Sequence, residues 1–189
     1  MILKRGLLKV GDSFNVDFTS RILGGSAIVV GSRFHGGRGL KMVLARPETD
    51  GPLLRIGNGV SLNEYVTLAV YDAMTIGDNV LVGSRVYIGN VNHGHYRGVH
   101  PSDPYSPPDS RPLSGSGETS IGANVWIGEG AIIPHGITIG TGAIVAAGAV
   151  VIKPVPAGAI VAGNPAVIVR EFDPSLIRWV RSGASLSAA

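Results

Sequence analysis

Aliphatic residues recur at every sixth position along the second half of the chain. Ile121, Ile127, Ile133, Ile139, Val145 and Val151 form an unbroken series, and Gly122, Gly128 and Gly140 directly follow three of its members. The fifth place of successive hexads holds Val125, Ala131, Ile137, Ala143 and Ala149. An earlier array runs Ile56, Leu62, Leu68, slips by two residues, and resumes with Ile76, Val82 and Ile88. A helix repeats every ~3.6 residues and a strand every ~2, so neither gives a period of six. Six fits a short strand of about four residues followed by a bend of about two. The aliphatic then points inward, the small fifth residue fits a crowded interior, and Gly or Asn/Asp at the bend tolerates left-handed backbone. Three such units close a triangular coil, and stacked coils pair as parallel strands. The pattern therefore predicts an all-β solenoid, a parallel β-helix. It does not set the hand of winding; parallel crossovers are normally right-handed.

Residues 1–50 keep a weaker pattern, with Ile28-Val-Val-Gly31 and Leu40-Lys-Met-Val-Leu44, and are predicted to be irregular N-terminal capping coils. Residues 51–170 form the β-helix domain, interrupted by a loop insertion over 93–120. That insertion holds Pro101, Pro104, Pro107, Pro108 and Pro112. A long excursion inside a compact repeat is more often functional than accidental. In the closing segment, 171–189, Asp173-Pro174 predicts the N-cap and first turn of a short C-terminal helix reaching about Arg181. The residues from Ser182 on read as a frayed end.

Composition narrows the function classes. Gly accounts for 28 of 189 residues, about twice its usual share, and glycine is costly inside helices. The net charge of +3 comes without a Lys/Arg run, so nucleic acid is not an expected partner. With no cysteine, disulfides, thiolate metal sites and a cysteine nucleophile are excluded together. No Asp, Glu, Lys or Arg occurs from Gly130 to Ile152, a length that could suggest a membrane span. Five glycines, Pro134 and the hexad rhythm interrupt it, so it reads as buried soluble core and no transmembrane segment is expected. The N-terminus lacks an apolar stretch of signal-peptide length, which agrees with a cytoplasmic protein.

Candidate chemistry gathers where the first array meets the insertion, in Ile88-Gly-Asn-Val-Asn-His-Gly-His-Tyr96. Transfer of an acyl group to a hydroxyl needs a base, and neutral imidazole is poised for that near neutral pH. His93 and His95 both fit, and the residues alone do not choose between them. Glu129 could orient such an imidazole. Trp126 could pack against a pantetheine arm. Gly142-Ala-Ile-Val-Ala-Ala-Gly-Ala-Val150 has almost no outward bulk, so a thin arm could lie along it.

Asn92-His93-Gly94, followed by Val125-Trp-Ile-Gly-Glu129, resembles the signature of hexapeptide-repeat O-acetyltransferases, closest to those of bacterial lipopolysaccharide and capsule. Val60-Ser-Leu-Asn-Glu-Tyr-Val66, Thr75-Ile-Gly-Asp-Asn-Val-Leu-Val-Gly-Ser84, Arg111-Pro-Leu-Ser114 and Gly163-Asn-Pro-Ala166 recur in that family in the same order. The likeness covers roughly residues 22–172 and is specific as a set. It implies a left-handed β-helix, acetyl-CoA as acyl donor without a metal, and a sugar or glycan acceptor in polysaccharide biosynthesis. It also implies a homotrimer with active sites between subunits. Residue by residue, His93 matches the catalytic base and Asn63 an acceptor contact. Ala147 matches a pantetheine contact, and Lys153 and Arg170 match cations that meet the nucleotide phosphates. Two departures stand out. Asn90-Val91 stands where close relatives often carry Asp-His, and Ile152-Lys-Pro154 where they usually carry Thr-Lys-Asp. The same fold hosts γ-type zinc carbonic anhydrases, whose late histidines lie five apart; here positions 130 and 140, five either side of His135, are both Gly. A non-catalytic β-helix scaffold is the other alternative.

Overall fold

A computed structural model of the chain describes residues 6–46, 51 and 53–182. The hexads become short strands joined by tight bends. The first coil is β1 (Lys9–Val10), β2 (Phe14–Val16) and β3 (Arg21–Leu23), and the second β4 (Ile28–Val30), β5 (Phe34–Gly36) and β6 (Lys41–Leu44). The third is β7 (Leu54–Ile56), β8 (Ser61–Leu62) and β9 (Thr67–Val70), and the fourth β10 (Met74–Ile76), β11 (Leu81–Val82) and β12 (Tyr87–Gly89). The excursion contributes β13 (Val91–His93) and β14 (Leu113–Gly115). Winding resumes with β15 (Thr119–Ile121), β16 (Trp126–Ile127) and β17 (Ile132–Ile133), then β18 (Thr138–Ile139) and β19 (Ile144–Val145). The chain closes on β20 (Ala159–Gly163), β21 (Ala166–Asp173) and β22 (Arg178–Arg181).

Three parallel sheets form the sides of a prism. The first side stacks β1-β4-β7-β10-β15-β18, and the second β2-β5-β8-β11-β16-β19-β20. The third stacks β3-β6-β9-β12-β17. Ile121 pairs with Ile139, so one coil takes eighteen residues, or three hexads. In the first block Ile56 pairs with Ile76, and the coil takes twenty. The two added residues are the slip seen in the sequence. They fall between Leu68 and Ile76, at the edge where the third side turns into the first.

Every aliphatic of the two hexad series is buried, and so are Val125, Ala131, Ile137, Ala143 and Ala149. Each fully buried Ile, Leu or Val contributes roughly 1.5–3 kcal/mol from apolar area removed from water. The alanines let the three walls approach, while Phe34, Leu40 and Met42 fill the interior nearer the N-terminus. At the bends, Asn79 and Asn124 take positive φ (56° and 58°), the conformation that Asn tolerates best after Gly.

Three expectations need correction. The N-terminal coils are not irregular: β1 to β6 pair in register with the coils above them. The excursion leaves the coil at Asn90, and Thr119 already belongs to β15. The C-terminal helix is absent, and β21 and β22 form an antiparallel hairpin instead. Asp173 does cap a turn, its Oδ1 accepting from the Ser175 amide (2.9 Å), the Ser175 hydroxyl (2.6 Å) and the Leu176 amide (3.1 Å). These bonds hold its carboxyl below the usual value. Beyond the turn, Arg178-Trp-Val-Arg181 pairs with the open edge of β21, and Trp179 meets Phe172 edge-on at 5.4 Å. Extending the sheet satisfies a full ladder of backbone groups, more than one helical turn could. Residues 183–189, read as frayed, lie outside the described residues.

Candidate active site

His93 ends β13, opposite Leu113 on β14, where the excursion springs from the edge between the third and first sides. The stem holds it by backbone bonds. The Gly94 amide donates to Pro112 O (2.7 Å), and the Ser114 hydroxyl donates to Gly94 O (2.6 Å). The Tyr96 hydroxyl donates to His93 O. Arg111 braces the rest of the loop, donating to Pro104 O (2.9 Å), Ser106 O (2.7 Å) and the Tyr96 hydroxyl (3.0 Å). The His93 side chain is exposed, and its imidazole has no protein partner among the described residues. His95 differs, because its Nε2 contacts His100 O within the loop. Of the two histidines, the geometry leaves His93 as the free imidazole.

Beneath His93 lies Asn90, the one fully buried amide side chain among the described residues. Its Oδ1 accepts from the Tyr71 and Asp72 amides (2.8 and 3.3 Å). Its Nδ2 donates to Asp72 O (3.1 Å), Ala73 O (3.3 Å) and Gly117 O (3.0 Å). Asp72 in turn accepts from the Gly117 amide (2.8 Å). The two-residue slip therefore has a use: it makes the backbone cradle into which both ends of the excursion are pinned. Sequence reasoning marked Asn90 only as a departure from relatives. Its partners are 17 to 27 residues away, so no local signal reveals the role.

The other candidates divide between places. Asn63, Glu129 and Ala147 lie along the edge between the second and third sides, on the third, fifth and sixth coils. Trp126 stands on the outer face of the second side, half exposed, between Leu81 and Ile144. Lys153 lies at the same kind of edge as His93, after the bridge at Val150. Arg170 sits on β21, opposite Ile160 and Arg181. Asn63 and His93, five hexads apart, thus occupy different edges of one prism. Glu129 forms an exposed ion pair with Arg85 on its own edge, not with His93.

The Asn63 edge is built from small residues. A Cβ at Gly83 would lie 2.7 Å from the Glu129 amide nitrogen, and one at Gly128 2.5 Å from that of Ala147. Only glycine fits, because the next coil's backbone passes there. Farther out on this edge, Cβ atoms on Gly130 and Gly148 would meet nothing within 4 Å. The ridge toward Ala147 is therefore open to an extended arm. On the N-terminal side of Asn63 a cleft of about 580 Å³ opens, also lined by His35, Asp17, Arg38 and Glu64. Nothing in the sequence sets His35 or Asp17 apart, and reasoning from it missed both.

Comparison with known proteins places these features. Models of the bacterial transferase hexapeptide (six repeats) and of the hexapeptide repeat of succinyl-transferase match residues 118–153 and 74–90. The chain is 32% identical over 169 residues to WbbJ of Escherichia coli (strain K12), assigned to lipopolysaccharide biosynthesis as an O-acetyl transferase. That alignment covers 88% of this chain and 83% of WbbJ. The chain belongs to the hexapeptide-repeat acetyltransferases. Its prism is the left-handed parallel β-helix of that family. A galactoside acetyltransferase in complex with coenzyme A has a similar structure, at 25% identity and a TM-score of 0.60, covering 92% of this chain and 70% of that one. AntD, an N-acyltransferase from Bacillus cereus, shares the fold at 19% identity and a TM-score of 0.74, covering 93% of this hexapeptide-repeat acetyltransferase and 90% of AntD.

Proposed function

We propose that this acetyltransferase moves an acetyl group from acetyl-CoA to a sugar hydroxyl during synthesis of a surface polysaccharide, with His93 as general base. The observation that carries this reading is the unengaged imidazole of His93, held at the rim by a loop that Tyr96 and Arg111 brace. The open ridge of Gly130, Ala147 and Gly148 supports a pantetheine arm hydrogen-bonded to backbone. Trp126 gives that arm an apolar face, and Lys153 and Arg170 supply cations for the nucleotide phosphates. His93 removes the proton as the acceptor oxygen attacks the thioester carbonyl, CoA thiolate leaves, and backbone N–H groups stabilise the developing oxyanion.

Because His93 and Asn63 stand on different edges, one chain does not assemble this site. A homotrimer that sets one subunit's His93 edge against the next subunit's Asn63 edge does. Among the described residues no helix is long and apolar enough to cross a membrane. The proposed reaction belongs to the cytoplasm because its donor, acetyl-CoA, is made and held there.

His93→Ala tests the assignment. Thiol release from acetyl-CoA in the presence of sugar acceptors should fall about 10²–10⁴-fold, with acetyl-CoA affinity by calorimetry nearly unchanged. Wild-type turnover in the variant would remove His93 from the role.

A further inference from the structure

The outward residues of the second side form one continuous row. Asn15 pairs with His35 and His35 with Ser61; Leu81, Trp126, Ile144 and Ile160 follow on later strands. The row is polar over the first three coils and apolar from the fourth onward. The apolar half holds Trp126, the candidate for the acyl-carrier arm. The polar half floors the cleft that Asn63 lines at its edge. One face is thus divided into two chemistries, with the Asn63 edge beside the boundary.

We propose that this cleft is a carbohydrate subsite, taking the neutral sugar residues of a glycan acceptor that lie next to the residue being acetylated. The inference rests on the acetyltransferase reading and extends it from a sugar to an assembled oligosaccharide. Size is the first support. Strands repeat every ~4.8 Å, so the lining from Asn15 on the first coil to Ser84 on the fourth spans about 14 Å, room for more than one pyranose ring. The volume of about 580 Å³ falls within the usual range for small-ligand sites. Charge is the second. Two carboxylates, Asp17 and Glu64, face one guanidinium, Arg38, which stands 3.8 Å from Glu64. That balance disfavours a phosphate and suits a neutral polyhydroxyl. The Thr19 hydroxyl and amide bind Asp17 Oδ1 and lower its pKa, so it is an ionised acceptor for sugar O–H donors near neutral pH. Third, the side chains of Asn15, His35 and Asn63 have no protein hydrogen-bond partner among the described residues. They present donors and acceptors along the whole cleft.

The test is an array of immobilised gluco-, galacto-, manno- and rhamno-configured mono-, di- and trisaccharides, probed with the wild-type chain and with the double variant His35→Ala/Asp17→Asn. Both positions are on the surface, and an unchanged thermal midpoint confirms that the variant is folded. Wild-type retention should favour trisaccharides over monosaccharides at least tenfold, and the variant should lose that preference. Equal retention of short and long sugars, retention of none, or a preference that survives the double substitution would overturn the subsite. CoA thiol release on the same sugars is read separately. Release without preference for the longer sugars keeps the acetyltransferase and removes only the subsite. Release on none of them removes the reading beneath it.

Discussion

Asn90 uses all of its amide's hydrogen-bonding groups: Oδ1 accepts two backbone N–H groups, and the two N–H groups of Nδ2 are shared among three carbonyls. It ties the slip at Tyr71–Ala73 to the return strand at Gly117, so it fixes where the His93 stem leaves the prism. Removing the amide strands several buried groups, each worth about 1–3 kcal/mol if water cannot reach it. Asn90→Ala should therefore lower unfolding free energy by about 3 kcal/mol, read from the urea midpoint, and should speed amide exchange at Gly117. A loss under about 1 kcal/mol would mean that the cradle reforms around solvent. An aspartate here would bring an anionic oxygen against the three carbonyls and lose the N–H groups that bind them. His93 stood out as a candidate because Asn92-His93-Gly94 is contiguous. Asn90 did not, since its function is defined by residues that only folding brings near.

At the scale of elements, the hexad cadence located nearly every strand of the second block, because period six leaves each inward aliphatic no alternative neighbour. It failed where a second pattern competed. Asp173-Pro174 is a genuine capping sequence, and its turn forms. The Arg178-Trp-Val-Arg181 segment after it pairs with the open edge of β21, and tertiary pairing outweighed local propensity. The inward residues also define a stability test. Ile127→Ala removes a fully buried side chain from the middle of the stack, where the walls are too tightly paired to collapse. It should cost about 2–5 kcal/mol. Ile132→Ala, two-fifths exposed on the outer face of the third side, should cost well under 1 kcal/mol. Chemical denaturation of the pair measures both, and equal costs would contradict the inward and outward assignment.

At the scale of the whole molecule, the sequence showed that His93 and Asn63 lie five hexads apart, and left open whether the winding joins them. A coil of three sides answers it: four sides of winding, β9 to β12, carry the chain past a full turn and on to another edge. On the proposed reading, the two residues serve one reaction across copies. A closed ring of three, with each site built from one subunit's His93 and the next subunit's Asn63, makes a quantitative demand. His93→Ala and Asn63→Ala homotrimers should each be nearly inactive. Denatured together in equal amounts and refolded, they should mix at random. A site then works only where a subunit with intact His93 precedes one with intact Asn63, a chance of about one quarter in a cyclic trimer. Turnover should return to about a quarter of the wild-type value, while the same variants refolded apart and then combined stay inactive. Failure of the mixture to recover would place both residues within one subunit's site or remove one of them from the reaction. Recovery near one quarter sets the site between chains and fixes two sides of it by residue.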